Sequence, residues 1–514
     1  MSSYPHILVI DFGSQTTLVI ERTLREAGYR SVVLGPKRSR DWIRQRPVKC
    51  AILSGGLSSV YEENAPAPPA GIFDIPHPSG RGTVPVLGIC YGQQWIAQAL
   101  GGKVAPGRPE YGHALIEHVP CELFEGTPER DQQVWMSHGD SVMELPPSCT
   151  VLAREPSSGA ISAFASNDRP IYGVQFHPEV PHTTHGSVIL QNYVRSAGCT
   201  PDWVPSSMIE EIRENGLSQL KKGEEVELGV SGGVDSSFVG AVFAPALGSR
   251  LHGITIDAGN LRENELGEIE GNARAAGIPW RVIDMQDEFF TALEGIADAQ
   301  LKRKAFQPQY SGAFQRVAAQ NRAIKKLFQG TLAPDRIESG ATGGAMIKQH
   351  HNVGLDTGSL GQIHPIDHLF KYEVRELAKA MGLPESIWKR QPFPGPGLFI
   401  RHIGPITRSG IETVRWADRR VYEILVAAGV YDELSQLIVA YFTTPTVGLQ
   451  GDKRAYNGFV GVRAVKTSDF MTAEGFEFEP YLQREIKRAM TKRPEIVHTA
   501  FFPSDKPPAT TEFE

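Results

Sequence analysis

Short apolar runs that end in turns alternate with helical patterns over the first part of the chain. The apolar runs cover residues 6–11, 50–53, 84–89 and 171–177, and the segments QQWIAQAL and SVILQNYVRSAG repeat apolar positions at helical spacing. Buried parallel strands that are connected by helices have this pattern. The pattern therefore predicts an α/β domain with a doubly wound, mostly parallel sheet.

The same alternation resumes after a segment of linker composition at residues 199–207. Strands are predicted at residues 226–230, 251–256 and 280–283, and an apolar helix follows the first of them. The segment QPFPGPG, residues 391–397, then interrupts the pattern, because its prolines and glycines exclude a helix or a central strand. Mixed helix and strand patterns follow this segment, and a proline-containing tail, SDKPPATTEFE, ends the sequence.

These patterns predict the fold class and the domain boundaries. We expect an α/β protein with two doubly wound, mostly parallel sheet domains and a smaller α+β C-terminal domain. The expected boundaries are 1–200, 208–390 and 391–514.

Composition narrows the function classes. The chain has 514 residues, of which 41% are hydrophobic and 21% charged, so it has enough apolar residues for packed cores and is not disordered in bulk. Its net charge of −6 argues against nucleic acid as a partner along the whole chain. No apolar run reaches the length of a membrane span, and the N-terminal residues form a first strand rather than a signal peptide. We therefore expect no membrane partner.

The five cysteines are few, odd in number and without CxxC spacing. This pattern argues against a disulfide framework and against a zinc site. A reducing, cytoplasmic localisation is therefore expected.

A cysteine nucleophile is predicted at the turn GICYGQQ, residues 88–94. The pattern is a strand, a tight Gly-x-Cys-x-Gly turn and a helix, which places Cys90 at the N-terminus of the helix. Helix N-terminal amides favour a thiolate there. A nucleophile needs a base and a group that orients the base. His177 and Glu179 are the candidates, because side chains two residues apart on an extended chain project to the same side.

Attack by the cysteine would form a tetrahedral oxyanion, which needs backbone N–H donors. The turn at residues 54–56 ends another apolar strand and offers the amides of Gly55 and Gly56. The amide of Tyr91, which follows the nucleophile, is the natural further donor.

The first domain resembles class I glutamine amidotransferases. The motifs that carry the resemblance are FGSQ, SGG, GICYGQQ, SHGD and HPE, in that order between residues 12 and 179. The resemblance spans residues 6–198 and implies hydrolysis of glutamine to glutamate and ammonia by the triad Cys90, His177 and Glu179. It also implies a glutamine pocket that is lined by Gln94, Ser137, His138 and Asp140. Leu57 departs from the pattern, since this subfamily usually has proline after SGG.

A phosphate-binding turn is predicted at SGGVDSS, residues 231–237, between a strand and an apolar helix. Glycine backbone and helix N-terminal amides bind phosphate oxygens, and the serines add hydroxyl donors. Asp235 is a candidate ligand for Mg²⁺, which neutralises phosphates. The absence of a GK[ST] sequence excludes a Walker A loop. The candidate ATP-binding residues are Ser231, Gly232, Gly233, Val234, Asp235, Ser236 and Ser237.

The SGGxDS string is similar to the signature of N-type ATP pyrophosphatases, which adenylate an oxygen and let an amine displace AMP. With a glutamine amidotransferase domain, this implies an ATP-dependent amination. Further segments resemble the glutamine-hydrolysing GMP synthase family over nearly the whole chain: GTLAPDRIES, IKQHHNVG, PFPGPGL, GDKRAY and KPPATTEFE. That resemblance implies xanthosine 5′-monophosphate (XMP) as acceptor, ATP as co-substrate, Mg²⁺ as cofactor, and a homodimer that forms through the C-terminal domain.

A nucleotide acceptor carries a phosphate dianion, so its site needs fixed cations. The candidates are Arg303, Arg401, Lys453, Arg454 and Lys506. The family resemblance assigns Arg303, Arg401, Lys506 and Glu512 to XMP, and Lys348, His350 and His351 to a lid segment over the ATP phosphates. Departures from the family pattern lie at 257–260, 305–322, 355–360 and TTEFE.

Two other functions stay open at this stage. One is an adenylating amidotransferase that makes NAD or asparagine, against which PFPGPGL and KPPATTEFE argue. The other is a nucleotide-binding scaffold that has lost catalysis, against which the intact nucleophile, base and SGGVDSS motifs argue. A binding comparison of XMP, deamido-NAD and aspartate distinguishes the first alternative from an XMP-using enzyme. Glutaminase activity or pyrophosphate release would exclude the second alternative.

Overall fold

The computed structural model describes residues 5–14, 16–333, 335, 357–450, 452–467, 473–506 and 508–514. The chain divides into two compact units, whose described residues run from 5 to 207 and from 208 to 514. Within the described residues, no helix is long and apolar enough to cross a membrane. The predicted lid residues Lys348, His350 and His351 lie outside the described part of the chain.

The first unit contains a nine-stranded mixed sheet in the order β2-β1-β3-β4-β9-β8-β7-β5-β6. The five strands from β2 to β9 are parallel, as the apolar runs predict, and the remaining four pair antiparallel. The strands are β1 Ile7–Phe12, β2 Ser31–Leu34, β3 Cys50–Gly56, β4 Val86–Ile89, β5 Lys103–His118, β6 Gln132–Glu144, β7 Cys149–Arg154, β8 Ile161–Ser166 and β9 Ile171–Val174. The helices are α1 Thr17–Glu26, α2 Pro36–Gln45, α3 Tyr91–Ala99 and α4 Gly186–Ser196.

The second unit contains two five-stranded sheets. The first is all parallel, in the order β12-β11-β10-β13-β14, and the second runs β15-β16-β17-β18, with β19 paired to β17. The strands are β10 Glu225–Gly229, β11 Leu251–Asp257, β12 Trp280–Asp284, β13 Ile324–Phe328, β14 Gly361–Ile363, β15 His402–Ile403, β16 Gln436–Gln450, β17 Lys453–Lys466, β18 Glu474–Gly475 and β19 Ile496–Phe501. The described helices are α5 Pro205–Ser218, α6 Val234–Leu247, α7 Glu265–Ala275, α8 Gln286–Leu293, α9 Ala299–Gln320, α10 Lys371–Ala380, α11 Glu385–Trp388, α12 Arg408–Ala427 and α13 Pro480–Met490.

The predicted fold class is confirmed, but several element boundaries differ. The predicted turn at residues 54–56 belongs to β3, and the strand predicted at 171–177 ends at Val174. The linker predicted at 199–207 ends earlier, because α5 begins at Pro205, where proline suits the first helical turn. The α6 helix begins at Val234 rather than after the serines, so Asp235, Ser236 and Ser237 lie in its first turn.

The proline- and glycine-rich segment predicted to separate two domains packs against the carboxyl edge of the parallel sheet. The Nδ2 group of Asn260 donates to the carbonyl of Gly395 at 3.1 Å, and the amide of Leu398 donates to the carbonyl of Asn260 at 2.9 Å. Gly397 has a φ of +56°, and a Cβ there would lie 2.5 Å from the Asn260 carbonyl oxygen. Asn260, which lies in the departure from the family pattern at 257–260, thus holds this turn in place.

The middle strand of the parallel sheet buries an ionisable side chain without a partner. Glu227 on β10 is completely buried, and neither carboxyl oxygen has a hydrogen-bond partner among the described residues. Burial raises the pKa of Glu227 from 4.5 to about 8, against a smaller opposing effect of Arg281. A raised carboxyl pKa means that the folded chain holds this proton more tightly than the unfolded chain. Stability is therefore lost as the pH rises from 4.5 towards 8.

Glu227→Gln, which cannot ionise, is expected to unfold at a higher temperature than the parent at pH 8 and at a similar temperature near pH 5. The difference in stability should reach roughly 4 kcal/mol at pH 8, because the pKa is raised by about 3.5 units and one unit corresponds to about 1.4 kcal/mol. Thermal unfolding at pH 5, 6, 7 and 8 measures it, with the exposed Glu214→Gln as control. A gap that stays constant with pH would contradict a buried, titrating Glu227.

Candidate functional sites

Cys90 stands on a strained turn between β4 and α3. Its φ of +51° is a conformation that non-glycine residues rarely adopt, and such strain clusters at functional sites. The flanking glycines are required by packing: a Cβ at Gly88 would lie 2.4 Å from the Gly92 main chain, and a Cβ at Gly92 would lie 2.4 Å from the Leu53 carbonyl oxygen. Strand and helix therefore approach more closely than any side chain allows, and the turn lifts Cys90 to the helix N-terminus.

His177 is held beside this cysteine by a buried carboxylate. Its Nδ1 lies 2.7 Å from Glu179 Oε1, and the Glu179 side chain is fully buried. Burial alone lowers the pKa of His177, but the Glu179 carboxylate and a hydrogen bond with the Cys90 sulfur outweigh it and hold the pKa well above its usual value. The ring is therefore poised as a proton donor beside the Cys90 sulfur.

The backbone around the histidine is rigidly braced. The amide of His177 donates to the carbonyl of Trp135 on β6 at 3.0 Å, and the Thr183 hydroxyl donates to the carbonyl of His177 at 2.6 Å. A Cβ at Gly186, the first residue of α4, would lie 1.8 Å from the Pro178 carbonyl oxygen. Helix α4 thus packs directly on the His-Pro-Glu segment.

The predicted oxyanion residues lie next to the imidazole. A Cβ at Gly55 would be 3.2 Å from His177 Cε1, and a Cβ at Gly56 would be 3.1 Å from the ring of Tyr91. The Ser54 hydroxyl accepts from the amide of Phe12 at 3.0 Å and donates to the carbonyl of Gly55 at 2.7 Å. Leu57, the departure from the family pattern, is 65% exposed.

The predicted glutamine-pocket residues form one hydrogen-bonded group on α3 and β6. Cys90 Sγ donates to the carbonyl of Ser137 at 3.6 Å, Gln94 Nε2 donates to the carbonyl of Asp140 at 2.8 Å, and His138 Nδ1 contacts that carbonyl at 3.0 Å. The Asp140 carboxylate accepts from Ser59 at 2.5 Å and from Tyr61 at 2.9 Å. The site therefore combines the candidate nucleophile, the candidate base and a wall of polar side chains.

One member of this site was not predicted from the sequence. Gln175 is buried, with Nε2 3.7 Å from the Cys90 sulfur and Oε1 3.3 Å from Gln94 Nε2. It precedes His177 by two residues, so the same spacing that links His177 to Glu179 was the available signal.

Glu179→Gln is expected to lower glutaminase kcat/KM by about 10²- to 10⁴-fold, because an amide neither supports an imidazolium nor fixes its tautomer. Loss of the carboxylate should lower the pKa of His177. The imidazolium would then be lost at a lower pH, and the alkaline limb of the pH–rate profile would shift in that direction. Glutaminase kcat/KM from pH 5 to 10 measures both effects, with the exposed Glu144→Gln as control. An unmoved alkaline limb would contradict this role.

In the second unit, the SGGVDSS turn joins β10 to α6. Gly232 has a φ of +70°, and a Cβ there would lie 2.3 Å from Arg390 Nη1. The hydroxyls of Ser231 and Ser236 lie 3.2 Å apart, and the Ser236 hydroxyl also accepts from the amide of Ser231. Gly233 caps the helix with extended backbone. The turn therefore presents hydroxyls and first-turn amides at the carboxyl edge of the sheet.

Asp235 suits a cation ligand. Its Oδ2 lies 3.0 Å from Lys371 Nζ, whereas Oδ1 is buried without a hydrogen-bond partner among the described residues. A buried carboxylate oxygen without a donor is the kind of ligand that Mg²⁺ prefers. Lys371, at the start of α10, was not predicted, and an isolated lysine in an amphipathic helix carries no signal of such a role.

The C-terminal tail returns to a group of basic side chains in the same unit. Arg401 is 1% exposed, and its Nε and Nη2 lie 3.2 and 3.0 Å from the two carboxylate oxygens of Glu512. Asp418 pairs with Arg401 at 3.2 Å, and Gln436 Nε2 donates to Glu512 at 2.7 Å. Burial raises the pKa of Asp418, which Arg401 opposes.

The other predicted XMP residues do not join the Arg401 group. Arg303 Nη2 donates to the main-chain oxygen of Glu514 at 2.6 Å, and the buried Lys302 Nζ lies 2.7 Å from Glu514 Oε2. Lys506 pairs with Ala473 through its backbone. The structure thus brings Arg401 and Glu512 together and places Arg303 against Glu514. Lys453 and Arg454 are exposed at the start of β17.

Comparison with known proteins identifies both ends of the chain. Residues 8–197 match the class I glutamine amidotransferase family, and residues 423–513 match the GMP synthase C-terminal domain. The first unit is therefore a glutamine amidotransferase domain, in a chain that carries a GMP synthase C-terminal region.

Full-length relatives narrow the class to one family. A GMP synthase [glutamine-hydrolyzing] of Thermus thermophilus is 42% identical, over 99% of this chain and 100% of the relative. Proteins of the same name from Pyrobaculum aerophilum and Aquifex aeolicus are 40% and 38% identical, over 98% and 99% of this chain and 99% of each relative. The chain belongs to the glutamine-hydrolysing GMP synthase family.

Proposed function

We propose that this chain makes GMP, AMP and pyrophosphate from XMP and ATP, with nitrogen from glutamine, and that the two sites described above divide the reaction between them. The observation that carries the proposal is the Cys90–His177–Glu179 arrangement in a chain that also holds the SGGVDSS strand–helix turn.

At the first site, the Cys90 thiolate attacks the amide carbon of glutamine. The developing oxyanion is stabilised by backbone amides among those of Gly55, Gly56 and Tyr91. The His177 imidazolium protonates the leaving ammonia, and a thioester remains on Cys90. His177 then takes a proton from water, which attacks the thioester and releases glutamate. Glu179 keeps the imidazole oriented throughout.

At the second site, the SGGVDSS turn holds the ATP phosphates by helix N-terminal amides and serine hydroxyls. Asp235 would hold Mg²⁺ there, which supplies positive charge against the phosphate oxygens. The XMP O2 attacks the α phosphate, pyrophosphate leaves, and ammonia from the first site displaces AMP from the purine.

The Arg401 network suits the purine better than the phosphate. Two carboxylates already neutralise Arg401, so a phosphate dianion gains little there, whereas Glu512 and Gln436 offer groups that hydrogen-bond purine edges. We assign Arg303 and Lys506 to the phosphate.

All five cysteines are free, which suits the cytoplasmic localisation predicted from the sequence.

GMP formation from ATP, Mg²⁺ and XMP, with either glutamine or ammonium chloride, tests the proposal. GMP from both nitrogen sources supports it. GMP from ammonium alone would retain the synthetase and remove the glutaminase role. No GMP from either source, together with AMP formation on deamido-NAD or aspartate, would overturn the XMP assignment.

The homodimer belongs to the same proposal, and the β16–β17 hairpin is the surface that we assign to it. Val447, Leu449 and Tyr456 are 53%, 80% and 61% exposed, and Val447 lies opposite Tyr456 in the register. Apolar side chains grouped on one exposed hairpin are typical of an interface.

Leu449→Asp is expected to raise the dissociation constant of the dimer at least tenfold, because it places a charge in that interface. Sedimentation velocity over a concentration series measures it. Leu115→Asp, at a half-exposed leucine of the first unit, is the matched control. An unchanged dimer in Leu449→Asp, or a monomeric parent, would remove the hairpin from the proposal.

A further inference from the structure

Two cysteines outside both candidate sites face each other in the first unit. Cys50 is the first residue of β3, and Cys199 follows α4 near the end of the unit. Their sulfur atoms lie 3.9 Å apart, and both residues are buried, with 0% and 7% of their surfaces exposed. They are 149 residues apart in the sequence.

The backbone holds the two thiols in this arrangement. Lys49 Nζ donates to the carbonyl of Gly198 at 2.9 Å, so the residues that precede the two cysteines are tied to each other. The amide of Cys199 donates to the carbonyl of Val194 at 3.0 Å, which closes the C-terminus of α4. A disulfide brings two sulfurs to about 2.05 Å. The change needed is therefore a movement of about 2 Å between side chains that already point towards each other.

The two thiols differ in their ionisation. A hydrogen bond from the Cys50 thiol lowers the pKa of Cys199, and the Lys49 ammonium acts in the same direction against the opposing effect of burial. Burial raises the pKa of Cys50 well above its usual value, and its hydrogen bond to Cys199 adds to this. Cys199 is thus the more readily ionised thiol of the pair and Cys50 the less readily ionised one, which is the order expected of a reactive and a resolving cysteine.

We propose that Cys50 and Cys199 form a reversible intramolecular disulfide when the protein meets a peroxide. The Cys199 thiolate attacks one peroxide oxygen, the O–O bond breaks, and the released hydroxide takes a proton to become water. Cys199 is then a sulfenic acid. Cys50 gives up its proton and attacks Cys199 Sγ, the S–S bond forms, the S–O bond breaks, and a second water leaves. The two sulfurs lose two electrons, and the peroxide gains them.

The bridge would join the start of β3 to the segment after α4. Closing so long a loop restricts the unfolded chain, so oxidation is expected to raise the midpoint of thermal unfolding by roughly 5 °C or more. Residues 54–56 form the other end of β3, so the bridge does not involve the candidate oxyanion residues.

Thiol counting on the full chain tests the proposal. Cys90→Ala removes the candidate nucleophile, itself a reactive thiol, and leaves four cysteines. After treatment with a small excess of hydrogen peroxide, alkylation in denaturant should find two thiols rather than four. The intact mass should fall by 2 Da, a tryptic cross-link should join the peptides of Cys50 and Cys199, and dithiothreitol should reverse all three changes.

Further variants of the Cys90→Ala protein distinguish the Cys50–Cys199 pair from the other two cysteines. Cys121→Ser with Cys149→Ser should still form the cross-link, whereas Cys199→Ser should not form it. If Cys199→Ser fails to fold, the peptide map of the folded Cys90→Ala protein decides alone. Retention of alkylatable Cys50 and Cys199 while Cys121 or Cys149 oxidises, or irreversible oxidation without a cross-link, would overturn the proposal.

Discussion

Cys90→Ala is expected to abolish GMP formation from glutamine and to leave GMP formation from ammonium salt unchanged. Removal of a catalytic nucleophile costs about 10⁴-fold or more, because no other group forms the covalent intermediate. Ammonium chloride supplies the nitrogen directly, so the second site does not depend on the thiol. Steady-state rates of GMP formation with saturating glutamine, and separately with ammonium chloride, measure the two routes in one preparation.

Cys121→Ala is the control for the loss of a thiol in the same unit, since Cys121 is half-buried and distant from the nucleophile in sequence. It should retain both nitrogen routes. Retained glutamine-dependent turnover in Cys90→Ala would contradict the nucleophile assignment. Loss of both routes in a folded Cys90→Ala protein would contradict the division of labour between two sites.

Asp235→Asn is expected to reduce GMP formation from both nitrogen sources by about 10²- to 10³-fold. Charge neutralisation at transferring phosphates contributes several kcal/mol to such reactions, and an amide binds Mg²⁺ more weakly than a carboxylate. The Asp235–Lys371 ion pair is also lost, which leaves a lysine charge beside the phosphate turn. Pyrophosphate release at increasing Mg²⁺ concentrations measures the effect.

Asp287→Asn is the control, because Asp287 occupies the first turn of α8 with its side chain 90% exposed. It should leave turnover and Mg²⁺ dependence unchanged. Glutaminase activity should survive in Asp235→Asn, which distinguishes loss of the adenylation site from general unfolding. Unchanged pyrophosphate release in Asp235→Asn would remove its metal role.

Together, Cys90→Ala and Asp235→Asn give opposite patterns. Cys90→Ala is expected to remove GMP formation from glutamine alone, whereas Asp235→Asn is expected to lower GMP formation from both glutamine and ammonium. If the chain is only a nucleotide-binding scaffold, the unsubstituted protein forms no GMP. The rate of the parent protein therefore tests that hypothesis by itself.

The sequence determined the repeating parts of the fold and the local chemistry of each turn. Apolar runs at residues 50–53 and 84–89 predicted β3 and β4, because a buried parallel strand needs apolar side chains on both faces. The Gly-x-Cys-x-Gly turn predicted the strained Cys90, because glycine allows a close approach that no other residue permits. The spacing of His177 and Glu179 predicted their contact. In the structure β9 ends at Val174, and a turn at Pro178 and Glu179 brings the carboxylate to the imidazole.

Contacts between distant segments were decided only by tertiary structure. Lys371 lies 136 residues from Asp235, Gln436 lies 76 residues from Glu512, and Cys50 lies 149 residues from Cys199. None of these residues has a periodicity or motif that names its partner, because a pairwise contact depends on where two elements meet after packing. The raised pKa of Glu227 has the same origin. The sequence shows an ionisable residue in a strand, but burial and the lack of a hydrogen-bond partner arise only when neighbouring strands and helices close around it.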